Sequence, residues 1–315
     1  MPPSDVPPVA LRTYTALRLG VVAVIAALGI AVWREIVNTP GGCVQRSLSA
    51  YYYTPVRPVF VGALLIIGFV MIAMWGKTFV EDAALNLAGM LLSVVALVPT
   101  LDANYCSTPQ AGQVTDPEAK QIADARLISD NADAVARSFT AFLAVGVVVL
   151  LLVAVVGAWL YVRSPAKASR KALLSYLITW ALAAAALLVY YLLFQHADDP
   201  SSFFNHRVHS WSANLAVACI IVAVASAAVD NARRSDRATR SWWQGYSRWT
   251  WLYGILTVTM VGSALVIKGG DRFHWFSGWA DVHATFLVEA VLIFLLGVFW
   301  VLQTIERRSE GAPTY

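Results

Sequence analysis

The side chains able to do chemistry in this chain are few and unevenly placed. All five histidines fall in two regions, His196, His206 and His209 in one, His274 and His283 in the other. Asp198, Asp199, Asp271 and Asp281 accompany them. Imidazole with carboxylate is the usual ligand set for zinc and several first-row metals. His206, His209 and His283 are therefore the candidate metal ligands, with zinc as the fitting metal. His206 and His209 stand three apart, a spacing that a helix brings to one side. Ser210 and Asn214 continue from His206 at four-residue steps. The opposing reading is that histidine is tolerated at membrane interfaces and avoided in hydrocarbon, so outer loops collect it. No HExxH motif is present, and no cofactor is demanded by any other pattern.

Glu289 is the one carboxylate well inside an apolar run. Asp281, Thr285 and Glu289 are spaced at i, i+4 and i+8, which predicts one polar stripe. An intramembrane carboxylate is costly and normally faces the bundle interior with a partner; His209, Ser210 and Asn214 are the expected partners. The stretch from Ser47 to Pro55 reads SLSAYYYTP. An aromatic belt with a helix-start turn accounts for it, and so does a binding site using Ser49 and Tyr52. Glu81 and Asp82, beside Lys77, read as solvated acids. Asn86 followed by Gly89 reads as a close helix contact with an interhelical hydrogen bond.

These groups need a frame, and the composition dictates its kind. The 315 residues are 58% hydrophobic and 13% charged, with a mean hydropathy of +0.62. Soluble domains average about 45–50% apolar and about 25% charged. The excess lies in long uninterrupted runs, which excludes an ordinary soluble domain, a disordered chain and a disulfide miniprotein. Eight runs approach the ~20 residues that a helix needs to cross hydrocarbon: 15–33, 57–75, 84–99, 139–162, 172–194, 209–229, 249–267 and 282–304. Lipid admits only helices or closed barrels, and these runs are too long for barrel strands. The expected fold is all-α: one polytopic transmembrane bundle over 1–315 with about eight spans. Arg12 and Arg18 precede the first run, which reads as a retained helix rather than a cleaved leader.

The connections set the expected orientation. Arg163, Lys167, Arg170 and Lys171 mark one loop; Arg233, Arg234, Arg237, Arg240 and Arg248 mark another; Arg307 and Arg308 follow the last span. Asp102, Asp116, Glu118, Asp124, Asp130 and Asp133 load the 100–138 loop instead. Positive charge stays inside, so both termini are expected to be cytoplasmic. The net charge of +4 then needs no acidic partner beyond the lipid bilayer. Anionic headgroups could meet the 233–248 segment, with Trp242 and Trp243. No nucleic-acid signature is present. Trp33, Trp75, Trp159, Trp211, Trp249, Trp251 and Trp300 lie near predicted helix ends and read as interfacial anchors.

Cys219 falls inside a span and reads as a small buried residue. Cys43 and Cys106 fall in connections expected outside, where disulfides persist, and a Cys43–Cys106 bridge is predicted. Within 100–138, Thr115-Asp116-Pro117-Glu118 is a helix-start signal, so an outer interfacial helix is expected to lead into the fourth span.

The string SLSAYYYTPVRPVFVGALLIIGF resembles the signature of a family of bacterial multi-pass inner-membrane proteins, in which the block reads S-I-S-x-Y-Y-Y-T…R-D-V-F-V-G. EDAALNLAGMLLSVVALVPT resembles that family's second block, ending here in Pro99-Thr100. HSWSANLAVA resembles its H-x-x-S-A block through His209, Ser212 and Ala213. The last helix, with Glu289 ahead of Gly297 and Trp300, resembles its E…F-G-x-S-W block. Pro58 stands where the family has aspartate. The resemblance implies the bacterial inner membrane and a six-helix plan, to which 139–194 looks like a two-helix insertion. It implies no activity. The plan is more distantly similar to DRAM/Sfk-type membrane proteins.

Three functional readings follow. One is an outward-facing pocket of Ser49, Tyr52, His209, Asn214 and Glu289 binding a small ligand or lipid headgroup. A second is a metal-dependent hydrolase of a lipid amide or ester, with Glu289 or Asp281 as general base. A third is a proton-coupled transporter using Glu289 as relay.

Overall fold

The computed structural model describes residues 8–100, 106, 117–163, 170–195, 205–236, 247–272, 275 and 277–307; side chains at 8–10, 117–133, 160, 170–172, 174–175, 205–207, 235–236, 268 and 271–272 are not described. Among these residues the regular structure is helical throughout. The α-helices are α1 (Pro8–Asn38), α2 (Arg57–Ala73), α3 (Phe79–Leu97), α4 (Pro117–Arg163), α5 (Arg170–Gln195), α6 (Asn205–Asp236), α7 (Arg248–Arg272), α8 (Trp279–Val282) and α9 (Ala284–Glu306). Seven are long and apolar enough to cross a membrane: α1, α3, α4, α5, α6, α7 and α9. The apolar α2 has 17 residues, the lower end of what can span.

Six helices close a ring: α1 packs on α2, α2 on α3, α3 on α6, α6 on α7, α7 on α9, and α9 back on α1. The tightest crossing joins α2 and α3. A Cβ added to Gly68 would stand 2.6 Å from the Gly89 carbonyl oxygen, so only glycine lets the two backbones meet. Gly89 thus makes the expected close contact, whereas Asn86 bonds Asp82 of its own helix (3.3 Å). The ring interior is filled by Ile67, Met71, Leu85, Val224, Tyr253, Met260, Leu296 and Phe299, all nearly or fully buried. Trp300 is fully buried with them. It is a core residue and not an interfacial anchor, because it sits on the inward face of α9. Trp33, Trp75, Trp159, Trp211 and Trp251 are exposed.

Helices α4 and α5 lie outside the ring as a pair. Tyr176 Oη donates to the Val153 carbonyl and Trp180 Nε1 to that of Leu150 (3.0 Å). The pair docks through Phe139 and Leu143 against Val94, Val98 and Val208, with Tyr190 Oη 2.8 Å from Ser212 Oγ. The helix expected to start at Pro117 does so, but it runs unbroken into the span for 47 residues. At 1.5 Å per residue that is about 70 Å. No glycine or proline interrupts residues 118–145, so nothing ends the helix at the expected membrane surface.

Candidate functional site

After α1 the chain reverses at Gly41 and Gly42, both at positive φ. It then crosses one end of the ring as a strap, residues 43–53. The strap is pinned along its length. Cys43 is bonded to Cys106, with Cα atoms 5.8 Å apart. His283 Nε2 lies 3.0 Å from the Val44 carbonyl. The Phe286 N–H donates to the Arg46 carbonyl (2.9 Å), and the Leu48 N–H to Glu289 Oε2 (2.6 Å). These attachments follow the first turns of α9 in order, so that helix sets the path of the strap. The strap ends in a 3₁₀ turn, Ser49–Tyr53.

That turn is where the tyrosines go. Tyr51 and Tyr52 are buried, so they are core residues rather than an aromatic belt. Tyr52 Oη accepts from Arg57 (2.5 Å), whose guanidinium also stands 4.0 Å from the ring centroid. Burial pushes the Tyr52 phenol up, and the Arg57 charge acts against that rise. Tyr53 Oη donates to the Thr100 carbonyl (2.8 Å), which ties the strap to the end of α3.

Three of the expected site residues meet at the start of this turn. Glu289, five residues into α9, accepts from the Leu48 N–H, from the Ser49 N–H (3.4 Å) and from Ser49 Oγ (3.3 Å at Oε1). Ser49 Oγ also lies 3.1 Å from His209 Nε2. His209 Nδ1 is 2.6 Å from the Val98 carbonyl oxygen. The local cause is clear: α3 stops at Leu97 before Pro99, and a helix end leaves carbonyls without in-helix partners. His209, at the first described turn of α6, satisfies one of them. Ser49 and His209 are both buried.

Below this group lies a cavity of about 80 Å³. Ser49 and Glu289 border it; the rest of its lining is apolar, from Phe60 and Leu64 of α2, Val95 of α3, Ala213 of α6, Met260 of α7 and Leu292 of α9 among others. The face of α6 that carries His209 continues through Ala213, Val217 and Ile220 into that lining.

Other expected residues lie elsewhere. Asn214 and Ser210 are exposed, on the other side of α6 from His209. Tyr52 is in the same turn as Ser49 but pairs with Arg57. The stripe of Asp281, Thr285 and Glu289 does not form: α8 ends at Val282, His283 breaks the helix at φ −110° and ψ 17°, and Thr285 is exposed. His283 has Nδ1 at 2.7 Å from the Trp279 carbonyl, Nε2 at the Val44 carbonyl, and its ring stacked on Trp279. It fastens the strap. The side chain of His206 lies outside the described residues, as do His196, His274, Asp198 and Asp199. Among the described residues no three of His, Cys, Asp and Glu cluster to hold a metal ion.

The opposite end of the ring holds a group that the sequence reading missed. Glu81 is fully buried, not solvated. Its carboxylate accepts from Arg307 (2.9 and 3.2 Å), from Gln303 (2.7 Å) and from the Lys77 N–H (2.9 Å). Lys77 Nζ reaches Glu306 (3.6 Å), which accepts from Tyr253 Oη (2.7 Å). Burial works against the Arg307 charge, but Glu81, with Tyr253 and Glu306 beside it, more than offsets it, and the guanidinium is held charged. A signal was present. Gln303 and Arg307 continue the Leu292, Leu296, Trp300 face of α9 at helical spacing, so their side chains had to enter the core. Thr78 caps α3 by accepting from the Glu81 N–H (3.1 Å), a pattern that aims the first turn inward.

Fold and site together define a multi-pass helical membrane protein with a strapped ring of six helices and a polar group at the mouth of an apolar cavity. Comparison with family models, curated proteins and solved structures gives no match.

Proposed function

We propose that this chain is an eight-span protein of the bacterial inner membrane, both termini cytoplasmic, that binds an amphipathic ligand from the outer side. The apolar part of the ligand fills the cavity, and its polar head meets Ser49, His209 and Glu289. The observation that carries this reading is the cavity itself: an apolar interior bordered by the Ser49 hydroxyl and the Glu289 carboxylate, with the His209 imidazole 3.1 Å from that hydroxyl. Mostly apolar pockets with a few convergent polar groups are the usual form of a ligand site. A carboxylate and an imidazole suit a head that carries hydroxyl or amine donors. The orientation rests on the basic loops and on the Cys43–Cys106 bridge, which is kept in an oxidising compartment. The zinc hydrolase ranks behind, because both ring nitrogens of His209 and of His283 already face protein oxygens.

The test uses the full chain in lipid nanodiscs and a monoacylglycerol bearing a diazirine in its acyl chain. Cross-links are expected at cavity residues such as Phe60, Leu64 and Leu292. Unmodified monoacylglycerol should compete for them, and Ala213→Trp, which fills the cavity, should remove them. Cross-links confined to lipid-facing positions and unchanged by Ala213→Trp would refute the reading.

A further inference from the structure

We propose that Ser49 is a nucleophile and His209 its general base, and that the site transfers the acyl group of a lipid ester whose chain lies in the cavity. The inference rests on the ligand reading above and adds covalent chemistry to it.

The hydrogen-bond geometry places one proton of the imidazole. The Val98 oxygen is a carbonyl and can only accept, so His209 carries a proton on Nδ1. The neutral ring then has its lone pair on Nε2, 3.1 Å from Ser49 Oγ. A hydroxyl within reach of an imidazole lone pair, with the imidazole held by an acceptor on its far nitrogen, is the arrangement that activates serine. Here the orienting acceptor is a backbone carbonyl, fixed by the end of α3. Ser49 is equally fixed, because its own N–H and that of Leu48 are tied to α9 through Glu289. The nucleophile borders the cavity, so an acyl chain lying there brings its ester carbonyl to Ser49 Oγ.

Glu289 defines the resting state. The hydroxyl has one proton and two acceptors, His209 Nε2 and Glu289 Oε1 at 3.3 Å. The N–H groups of Leu48 and Ser49, the donors nearest the nucleophile, both point at Glu289 Oε2. The carboxylate therefore stands where an acyl oxyanion would stand, and an ester reaches that place by displacing it.

The step balances within the site. Ser49 Oγ attacks the ester carbonyl carbon and its proton passes to His209 Nε2. The carbon–oxygen bond to the leaving alcohol breaks, and His209 returns the proton to that alkoxide, leaving an acyl-serine. Water, or a second alcohol for transfer, then gives its proton to His209 and attacks the acyl carbon. Ser49 departs as alkoxide and recovers the proton. No metal or redox partner is consumed.

An alkyl fluorophosphonate tests this directly. Ser49 Oγ attacks phosphorus, fluoride leaves, and a stable adduct remains for mass spectrometry. With the full chain in nanodiscs, a decyl probe is expected to form one adduct, on Ser49. His209→Gln should slow it by about 100-fold or more, the usual contribution of a general base, with the thermal midpoint and the Cys43–Cys106 bridge intact. A methyl probe, lacking the chain, should react at least about tenfold more slowly, as pre-positioning by the cavity is lost; Ala213→Trp should remove that chain preference. These two readouts need no variant of the polar group. An absent adduct with cavity cross-linking by the diazirine lipid preserved would overturn the nucleophile and leave the ligand reading standing. Loss of both would overturn both. An adduct formed equally fast in His209→Gln, or equally fast with either probe, would also defeat the proposal.

Discussion

The two ends of the ring carry buried polar residues of the same kinds and use them in opposite ways. At the end built from Lys77, Glu81, Gln303, Glu306 and Arg307, each carboxylate is met by donors, though Arg307 Nε stands 3.9 Å from Glu306, too far for a hydrogen bond. Glu81 alone takes a backbone N–H, an amide and a guanidinium. At the strap end, one hydroxyl is shared between an imidazole and a carboxylate, and the group opens onto a cavity. A buried charge network with its carboxylates paired is rigid, and removing one member exposes the rest to a large penalty. A group with competing acceptors beside unfilled space can exchange partners at little cost. The first end therefore acts as a latch between α3 and α9, and the second has the features that the proposed ligand site requires.

The sharpest way to break this contrast is Glu81→Ala. Among the described residues it leaves Arg307 buried beside the carboxylate of Glu306 alone, at 3.9 Å, and loss of one partner of a buried pair costs about 3–5 kcal/mol. The thermal midpoint of the purified protein should fall further than for any strap-end variant. A fall no larger than that for Ser49→Ala would mean that the two ends are energetically alike.

Cys43→Ser with Cys106→Ser comes next. A bridge across a separation of 63 residues contributes about 2–4 kcal/mol. Its loss should loosen the strap, so cavity cross-linking by the diazirine lipid should weaken with the stability. Glu81→Ala, assayed at a temperature where it is folded, should keep that cross-linking. Equal loss of cross-linking in both would erase the distinction between ends.

Glu289→Ala follows, at about 1.5–3 kcal/mol for a charge-assisted acceptor of a backbone N–H. Thermal unfolding measures it, with Glu289→Gln recovering most of the loss because the amide oxygen still accepts from Leu48. A Gln variant as damaged as the Ala variant would mean that the charge itself, and not the strap attachment, is what Glu289 supplies.

How far the sequence carried these conclusions differs between the two ends. The helices and the bridge follow from hydropathy and loop chemistry, and the cost of a carboxylate in an apolar run pointed to a polar group around Glu289, which reaches His209 only through Ser49. Ser49 between them was legible only as an unusual segment, since no period relates a 3₁₀ turn to helices 160 and 240 residues away. Val98 could not be found at all, because its contribution is a backbone carbonyl. Glu81 was misread for a different reason. Proximity to Lys77 in the sequence suggested solvent, while the partners that bury it come from the end of α9, where Arg307 read as a basic residue following the last span and Gln303 was not singled out. The stripe through Asp281 failed because helical spacing was carried across His283, where the helix breaks.

Ser49→Ala is expected to have the smallest effect on stability and is the most informative. The bond between its hydroxyl and His209 is worth about 0.5–1.5 kcal/mol net, the one to Glu289 is long at 3.3 Å, and its removal lets Glu289 keep its bonds to Leu48 and Ser49 N–H. The midpoint should move little. Fluorophosphonate labelling should vanish, while cavity cross-linking by the diazirine lipid should persist, since the acyl chain is held by Phe60, Leu64 and Leu292. That split separates a residue kept for chemistry from one kept for the fold. A buried hydroxyl set between a carboxylate of α9 and an imidazole of α6 that adds little stability is one whose labelling, and not its unfolding, reports its role. If Ser49→Ala lowered the midpoint as much as Glu81→Ala and abolished cross-linking too, the strap end would be a second latch, and the contrast between the ends would be gone.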